Sequence, residues 1–516
     1  MKGKLIVAIK LLTILLIINC PIDSFSQKSK KSKKEEKIEI PVTIMGNGTI
    51  EENGNIRGYF VYKAVDKAYG KEQNYHIELF DENFTELSTL KFKDRPNLKM
   101  LSTAYSSEEL CFMFLNTDEK SFDYKVFSVE GKVISDFSSK LSNKEYKRYM
   151  KFVTKERLIS LENGGFLSTS AITEKSKITF KVNKFAKGES KPIEYKFPAD
   201  KKFNLPTILG VSNNVIVVSV MSSKKQLGPA SYHIVGLDQE NMKAKFTTSS
   251  DVDGEYLFVP YSMGENPDYN TIRVSGVYFN VNGNTNRHSK GLAMWELDSS
   301  GTLLREKYNA WSSDFKGLAF KSNGKVKKTG FLKVHETFST KDGKTFAVAE
   351  GYRKRFNGGG LFTLLFNWPC YLTKYQTTDM VLFEMDKDFK VKSSKVFPKK
   401  VESIVGYGFS TMSVHAIAHK IPGMFGYSYA QLNEERDGFM FTFTEDNFRL
   451  FRNKKSQFSF NTVKFENGKF TSDKLVPSST KGWSSTAYMA SQFGKVAYFN
   501  YNYSSGKSEF RIIKVK

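Results

Sequence analysis

Beyond about residue 38 the chain is a succession of short apolar runs, rich in Phe, Tyr, Val and Ile, separated by pairs such as Asn-Gly, Asp-Gly and Glu-Gly. Within many runs apolar and polar positions alternate with period two. That pattern predicts strands joined by tight turns. Helical periodicity is nearly absent. One segment, residues 143–157, predicts a helix with Tyr146, Met150 and Val153 on a shared face.

Two kinds of run alternate. The first is apolar almost throughout and opens on a turn residue, as at 58–61, 109–114, 164–167, 214–218, 276–279, 343–348, 438–441 and 494–499. The second alternates and ends just before a turn, as at 77–81, 124–127, 234–238, 293–298, 381–386 and 463–466, with a degenerate copy at 180–185. From first to second turn the spacing runs from 22 residues (Glu109 to Gly131) to 30 (Gly438 to Gly468). A strand apolar on both faces cannot cover itself and must stack on copies of its own unit. The repeat therefore predicts an all-β fold, a β-propeller of seven or eight four-stranded blades, with the apolar runs as inner strands near the axis. The alternative is two smaller β-domains.

The amino terminus has a different pattern. Lys2 and Lys4 precede an apolar stretch over 5–18, followed by Ser24-Phe25-Ser26. This is the design of a secretory signal peptide over 1–27, and the stretch is too short for a comfortable bilayer span. Export through the secretory pathway follows, to a periplasmic, surface-attached or extracellular location. Cys20 as a lipid-attachment site is a weaker alternative, because Asn19 stands where a small residue is wanted. Residues 28–37 are a lysine-rich linker, and 38–516 are expected to form a single propeller domain. The mature chain carries no later stretch of transmembrane length.

Charge changes the picture. The formal net charge is +24, from 78 basic and 54 acidic residues. Setting aside 1–27 (three Lys, one Asp) and the linker (six Lys, two Glu) leaves +18 on the folded part. Lysine dominates over arginine, 65 to 13. Lysine lacks the planar fork that reads bases, and export removes access to nucleic acid. The expected partners are an envelope protein, an anionic glycan or a lipid surface.

The turn pattern Leu297-Asp298-Ser299-Ser300-Gly301 after an alternating strand resembles that of exported bacterial β-propeller proteins of unknown function. The resemblance spans roughly residues 45–516. It implies the fold and no particular activity.

Candidate chemistry is sparse. Of the six histidines, His415 and His419 have i, i+4 spacing, but their context alternates like a strand, which would set them about 13 Å apart. His76 and His233 fall at equivalent repeat positions, which reads as structure. No nucleophile elbow or phosphate loop is present. No catalytic residue, metal ligand or cofactor is assigned, and binding is favoured over catalysis. The remaining readings are a glycan-active enzyme with carboxylates in the central funnel and a cell-envelope assembly component. The chief departure from the repeat is the sixth unit, where Gly343 to Asp388 spans 45 residues. Its insertion, at about 351–378, joins a basic glycine-rich turn to an aromatic run. Tyr352, Arg353, Arg355, Phe362, Phe366 and Trp368 are the candidate ligand- or partner-binding residues. Residues 265–290 form a second long-turn candidate.

Overall fold

The computed structural model describes residues 43–516 apart from connecting segments, of which 66–71, 282–287, 358–371, 406–423 (save Val414 and Ala418), 447–457 and 477–483 are the longest. Val42–Lys516 form one compact unit. The expected signal peptide and lysine-rich linker lie outside the described residues, as do His415, His419, Cys20 and Cys370.

The strands fall into eight consecutive antiparallel meanders. Blade 1 is β1 (Thr43–Glu52), β2 (Asn55–Ala64), β3 (Gln73–Phe80) and β4 (Glu86–Asp94). Blade 2 is β5 (Leu98–Ser106), β6 (Glu109–Asn116), β7 (Ser121–Ser128) and β8 (Val133–Lys140). After the helix α1 (Asn143–Phe152), blade 3 is β9 (Leu158–Ser160), β10 (Phe166–Glu174), β11 (Lys177–Phe185) and β12 (Ile193–Lys196). Blade 4 is β13 (Phe203–Ser212), β14 (Val215–Ser223), β15 (Ala230–Asp238) and β16 (Ala244–Ser249). A single parallel bridge, Ile178 to Phe203, joins blades 3 and 4 into one sheet.

Blade 5 adds a short β17 (Asp251–Val252) to β18 (Tyr256–Asn266), β19 (Thr271–Asn280), β20 (Gly291–Leu297) and β21 (Leu303–Ala310). Blade 6 is β22 (Phe331–Ser339), β23 (Thr345–Phe356), β24 (Thr373–Met385) and β25 (Val391–Phe397), with β26 (Glu402–Val405) pairing on β24. Blade 7 is β27 (Tyr427–Leu432), β28 (Phe439–Asp446), β29 (Phe458–Glu466) and β30 (Lys469–Leu475). Blade 8 is β31 (Ser484–Ala490), β32 (Lys495–Asn502) and β33 (Lys507–Lys514). The fold is an all-β propeller of eight blades.

An apolar core lies between each pair of neighbouring blades. On β6, Leu110, Phe112 and Phe114 pack towards blade 1, while Cys111, Met113 and Leu115 pack towards blade 3. On β14, Ile216, Val218 and Val220 face blade 3, and Val215 and Val217 face blade 5. The ring closes where Tyr59, Val61 and Phe80 of blade 1 meet Ala497, Phe499 and Tyr501 of blade 8. Strand alternation thus sends both parities of side chain into apolar cores, so these strands read as continuous hydrophobic runs.

The apolar runs are the second strands of their blades, not the inner ones. The first strands approach one another around the axis, β1 with β5, β5 with β9, β18 with β22 and β31 with β1. They are only half-buried, as on β5 and β27. An axial strand has one unpaired edge and borders the central opening, whereas a second strand is paired on both edges and covered on both faces. Six of the first strands carry a bulge against their partner, at Met45, Leu101, Leu209, Tyr261, His335 and Ser428. A bulge adds local twist and re-aims a side chain.

The expected helix is present as α1. Ser142 and Glu145 form a reciprocal cap: the Ser142 N–H donates to Glu145 Oε2 at 2.8 Å and the Glu145 N–H to Ser142 Oγ at 3.3 Å. The long turn expected over 265–290 contains strand β19, nearly all buried. Val414 and Ala418 are helical, in contrast to the strand expected there. Cys111 is a free, fully buried thiol whose pKa burial pushes up.

Phe112 is wholly buried between blades 1 and 2. Phe112→Ala is expected to lower unfolding stability by about 3–5 kcal/mol, read from urea denaturation. A loss under about 1 kcal/mol would mean that this inter-blade core is not a stabilising seam.

Candidate functional site

Because every blade is a meander, its turns divide between two faces of the ring. One face carries the first-to-second and third-to-fourth strand turns, which are short. The Asp of the Leu-Asp-x-x-Gly pattern organises them. Asp298 Oδ1 accepts the N–H groups of Ser300 and Thr302, both at 2.9 Å. Asp81 and Asp386 make the same pair of bonds, and Asp238 accepts instead from the N–H groups of Glu240 and Asn241. The third or fourth residue after each Asp has positive φ: Phe84, Met242, Gly301 and Phe389. The motif is therefore a turn device. Four cations here have acidic partners: Lys245 with Asp238 at 3.1 Å, Lys392 with Asp386 at 3.0 Å, Lys344 with Asp342 at 2.8 Å and Lys341 with Asp437 at 2.9 Å.

The opposite face carries the second-to-third strand loops and the connections between blades. On blades 5 and 6 it is the elaborated face. The 20 residues between β21 and β22 form a connection with isolated bridges at Phe320–Val326 and Val326–Gly330. That connection carries Lys321, Lys325, Lys327 and Lys328. Lys290, Lys333, Arg353, Arg355 and Lys374 stand at neighbouring strand ends. Among the described residues, none of these nine cations forms an ion pair, unlike Lys245, Lys392, Lys344 and Lys341 of the turn face.

Beneath this face, blades 6 and 7 meet around a buried carboxylate. Glu350, on β23, is fully buried. Its Oε1 accepts from Lys399 Nζ at 2.7 Å and the Gly426 N–H at 3.2 Å; its Oε2 accepts from the Tyr427 N–H at 3.1 Å. Lys399 also donates to Glu402 at 3.1 Å. Burial pushes the Glu350 pKa up, but His335 and Lys399 outweigh it and hold the carboxyl below its ordinary value. Gly426 is required: a Cβ there would fall 2.4 Å from Lys399 Nζ and 2.5 Å from Thr444 O. With its lone pairs taken by donors, Glu350 is a joint between blades rather than a base open to substrate.

The bulged His335 lies against this joint, its Nε2 3.5 Å from Glu350 Oε2 but not aligned to donate to it. Burial lowers its pKa, so it is neutral at pH 7. Its ring stacks on Tyr427 at 4.8 Å and meets Phe425 edge-on at 5.1 Å. Phe425 also lies under Lys333 Nζ at 4.8 Å, and burial brings the Lys333 pKa down to about 8.

The sequence-predicted residues divide. The insertion begins as an extension of the β23–β24 hairpin, paired from Tyr352–Thr377 to Phe356–Thr373. Tyr352 is buried, stacked on Tyr375 at 5.9 Å and edge-on to Phe425 at 5.9 Å. It is therefore part of the wall behind the face. Arg353 Nε donates to Gln376 Oε1 at 3.0 Å, and its Nη1 to the Lys328 carbonyl. Arg355 is exposed. Phe362, Phe366 and Trp368 lie outside the described residues. Glu350, Lys399, Lys333, His335 and Phe425 were not picked out by sequence reasoning. One signal was available: Glu350 stands just past the end of the apolar run at 343–348. His76 and His233 sit on the third strands β3 and β15. Among the described residues no group of three His, Cys, Asp or Glu is placed to hold a metal, and no helix is long and apolar enough to cross a membrane.

Glu350→Gln leaves the buried Lys399 charge with Glu402 as its one remaining carboxylate and is expected to cost about 3 kcal/mol, measured by urea denaturation; a near-neutral result would remove the joint. His335 supplies a pH test. Its folded pKa is depressed below the ordinary 6.5, so the unfolded chain takes up the proton first. Stability is then fully present above about pH 6.5 and falls as the pH drops below it. His335→Asn should flatten that part of the stability–pH curve; an unchanged slope between pH 6.5 and 5 would contradict the assignment.

No curated protein matches the chain in sequence. Among solved structures it is similar to the WD40 domain of SCAP from fission yeast, at 7% identity and a TM-score of 0.39, covering 90% of this chain and 94% of that one. It is similar to the polysaccharide lyase Uly1 at 10% identity and a TM-score of 0.43, covering 84% and 93%. Prolyl oligopeptidase B from Galerina marginata matches at 9% identity and a TM-score of 0.40, over 90% of this chain but only 56% of that one. The fold itself stands on the sheet order and the inter-blade cores. A family model matches residues 8–516, nearly the whole length, so the chain belongs to DUF6770, a family of unknown function.

Proposed function

We propose that this protein is an exported, non-catalytic β-propeller that binds a polyanionic ligand at the cell envelope through the loop face of blades 5 and 6. One observation supports the reading: nine cations gather on this face and, among the described residues, none of them forms an ion pair, whereas Lys245, Lys392, Lys344 and Lys341 of the turn face do. Lys321, Lys327, Lys328 and Arg355 are exposed, with Lys374 beside Arg355 across the hairpin. Uncompensated like charges repel, and they are relieved by an anion that spans them. The sequence adds two supports. The basic and apolar pattern of 1–27 favours export, and +18 remains on residues 38–516. The carboxylate Glu350 is held by an ion pair and two backbone donors, which favours a structural over a catalytic part for it.

The expected behaviour is retention on a heparin column that weakens as salt rises. The combined variant Lys327→Gln, Lys328→Gln, Arg355→Gln, Lys374→Gln should lose affinity at low salt by on the order of a hundredfold, taking roughly 1 kcal/mol per cation as an upper scale. Lys245→Gln with Lys392→Gln, on the turn face, should change it little. Equal effects from the two variants, or no retention of the unmodified protein, would refute the assignment.

A further inference from the structure

The loop face of blade 5 holds a cleft of about 180 Å³ between the ends of β18, β19 and β21 and the connection that follows. We infer that this cleft receives one acidic sugar unit, a pyranose ring bearing a carboxylate or sulfate, so that the polyanion is an acidic polysaccharide. The inference rests on the polyanion-binding reading above and names its ligand class.

The walls come from residues that the fold holds rigidly. Tyr256 is half-buried and presents its ring to the cleft. Its ring is fixed by Tyr278, edge-on at 5.2 Å, and by Tyr308, tilted at 5.2 Å. Trp295 Nε1 donates to the Tyr308 hydroxyl at 2.9 Å and anchors the group from the core of blade 5. Burial pushes the Tyr278 hydroxyl up to about 12, so it stays neutral. On the other side Trp311 Nε1 donates to Ser289 Oγ at 3.0 Å, which orients that serine. The wall beside them is kept open by Gly324. It has φ +73°, and a Cβ there would lie 3.0 Å from Trp311 Cδ1 and 3.1 Å from Ser289 O. A site whose side chains are already locked loses little entropy on binding.

The chemistry of the lining suits a sugar better than a bare anion. An aromatic ring accepts the apolar C–H face of a pyranose. Asn280 offers both donor and acceptor to ring hydroxyls, and Ser289 does so at shorter reach. Lys290 stands exposed at the rim, where its ammonium meets a carboxylate or sulfate. The cleft is smaller than the roughly 300 Å³ at which pockets for drug-sized ligands begin, which matches a single ring with its chain continuing outside. The positive track needed by neighbouring acidic units is at hand. Lys325 follows Gly324 directly, with its Nζ 5.9 Å from the Phe331 ring, and Lys327 and Lys328 lie just beyond. A polyphosphate would satisfy the lysines but would have no use for Tyr256 or Asn280.

The test is isothermal titration of the full protein with three probes: trigalacturonate, a heparin tetrasaccharide and inorganic tripolyphosphate. At least one of the two oligosaccharides should bind. Lys290→Gln should weaken it about tenfold or more, the loss of one charge-assisted hydrogen bond. Asn280→Ala should weaken it severalfold while leaving tripolyphosphate unchanged. Tyr256→Ala should do likewise, with circular dichroism to confirm the fold; should that variant misfold, the exposed Asn280 and Lys290 still decide the matter. Oligosaccharide binding that is indifferent to all three substitutions overturns the inference. If only tripolyphosphate binds, and the four-cation loop-face variant abolishes it, the sugar cleft falls while polyanion binding stands. If none of the three probes binds, both readings fall.

Discussion

A sheet that is apolar on both faces has no stable existence alone, and the second strand of each blade is such a sheet's spine. On β23, Phe346 and Val348 pack towards blade 7 while Ala347 and Ala349 pack towards blade 5. The same two-sided burial recurs on β2, β6, β14 and β28. Each blade therefore needs a neighbour on either side, and a finite row would leave two greasy ends. Closure of blade 8 on blade 1 through Phe499, Tyr501, Tyr59 and Val61 removes them. Everything else in the molecule is arranged on the two rims that this ring leaves free.

The rims have been used differently. On one, strands reverse in short turns whose Asp side chains take up backbone N–H groups, and Lys245, Lys341, Lys344 and Lys392 find carboxylates. On the other, the longer loops of blades 5 and 6 gather cations without such partners and a cleft with aromatic walls. A bulge within the first strand is shared by six blades, but in blade 6 it places a histidine next to a buried ion pair. A common backbone irregularity thus becomes a distinctive local environment by substitution of one side chain. Glu350 and Lys399 in turn hold the entry of blade 7, through Gly426 and Tyr427, against blade 6. The loops of blade 6 on that rim rest beside that joint.

The division between what was legible and what was not follows from range. Period-two alternation, apolar runs and turn residues are properties of adjacent positions, and they were enough for an all-β propeller, for the repeating unit and for α1. They did not separate the axial strand from its neighbour, because an apolar run reports burial of both faces and says nothing about which edge is paired. The extra length of the sixth unit corresponds to the extended β23–β24 hairpin. It also selected Tyr352, which proves to be stacked in the wall, and it passed over Lys333 and His335 on β22.

Amino-acid order by itself determined the strands, their turns and the need to stack, since these depend on local conformational preference and on how many faces of a strand are apolar. Tertiary structure alone decided the rest. Glu350 meets Lys399 only after the chain has passed through two further strands, so the ion pair has no local trace. Whether a lysine is neutralised or left bare depends on which carboxylates the fold brings within reach of it. The cleft draws on residues from Tyr256 to Gly324, which come together only when β18, β19 and the connection after β21 end at the same rim.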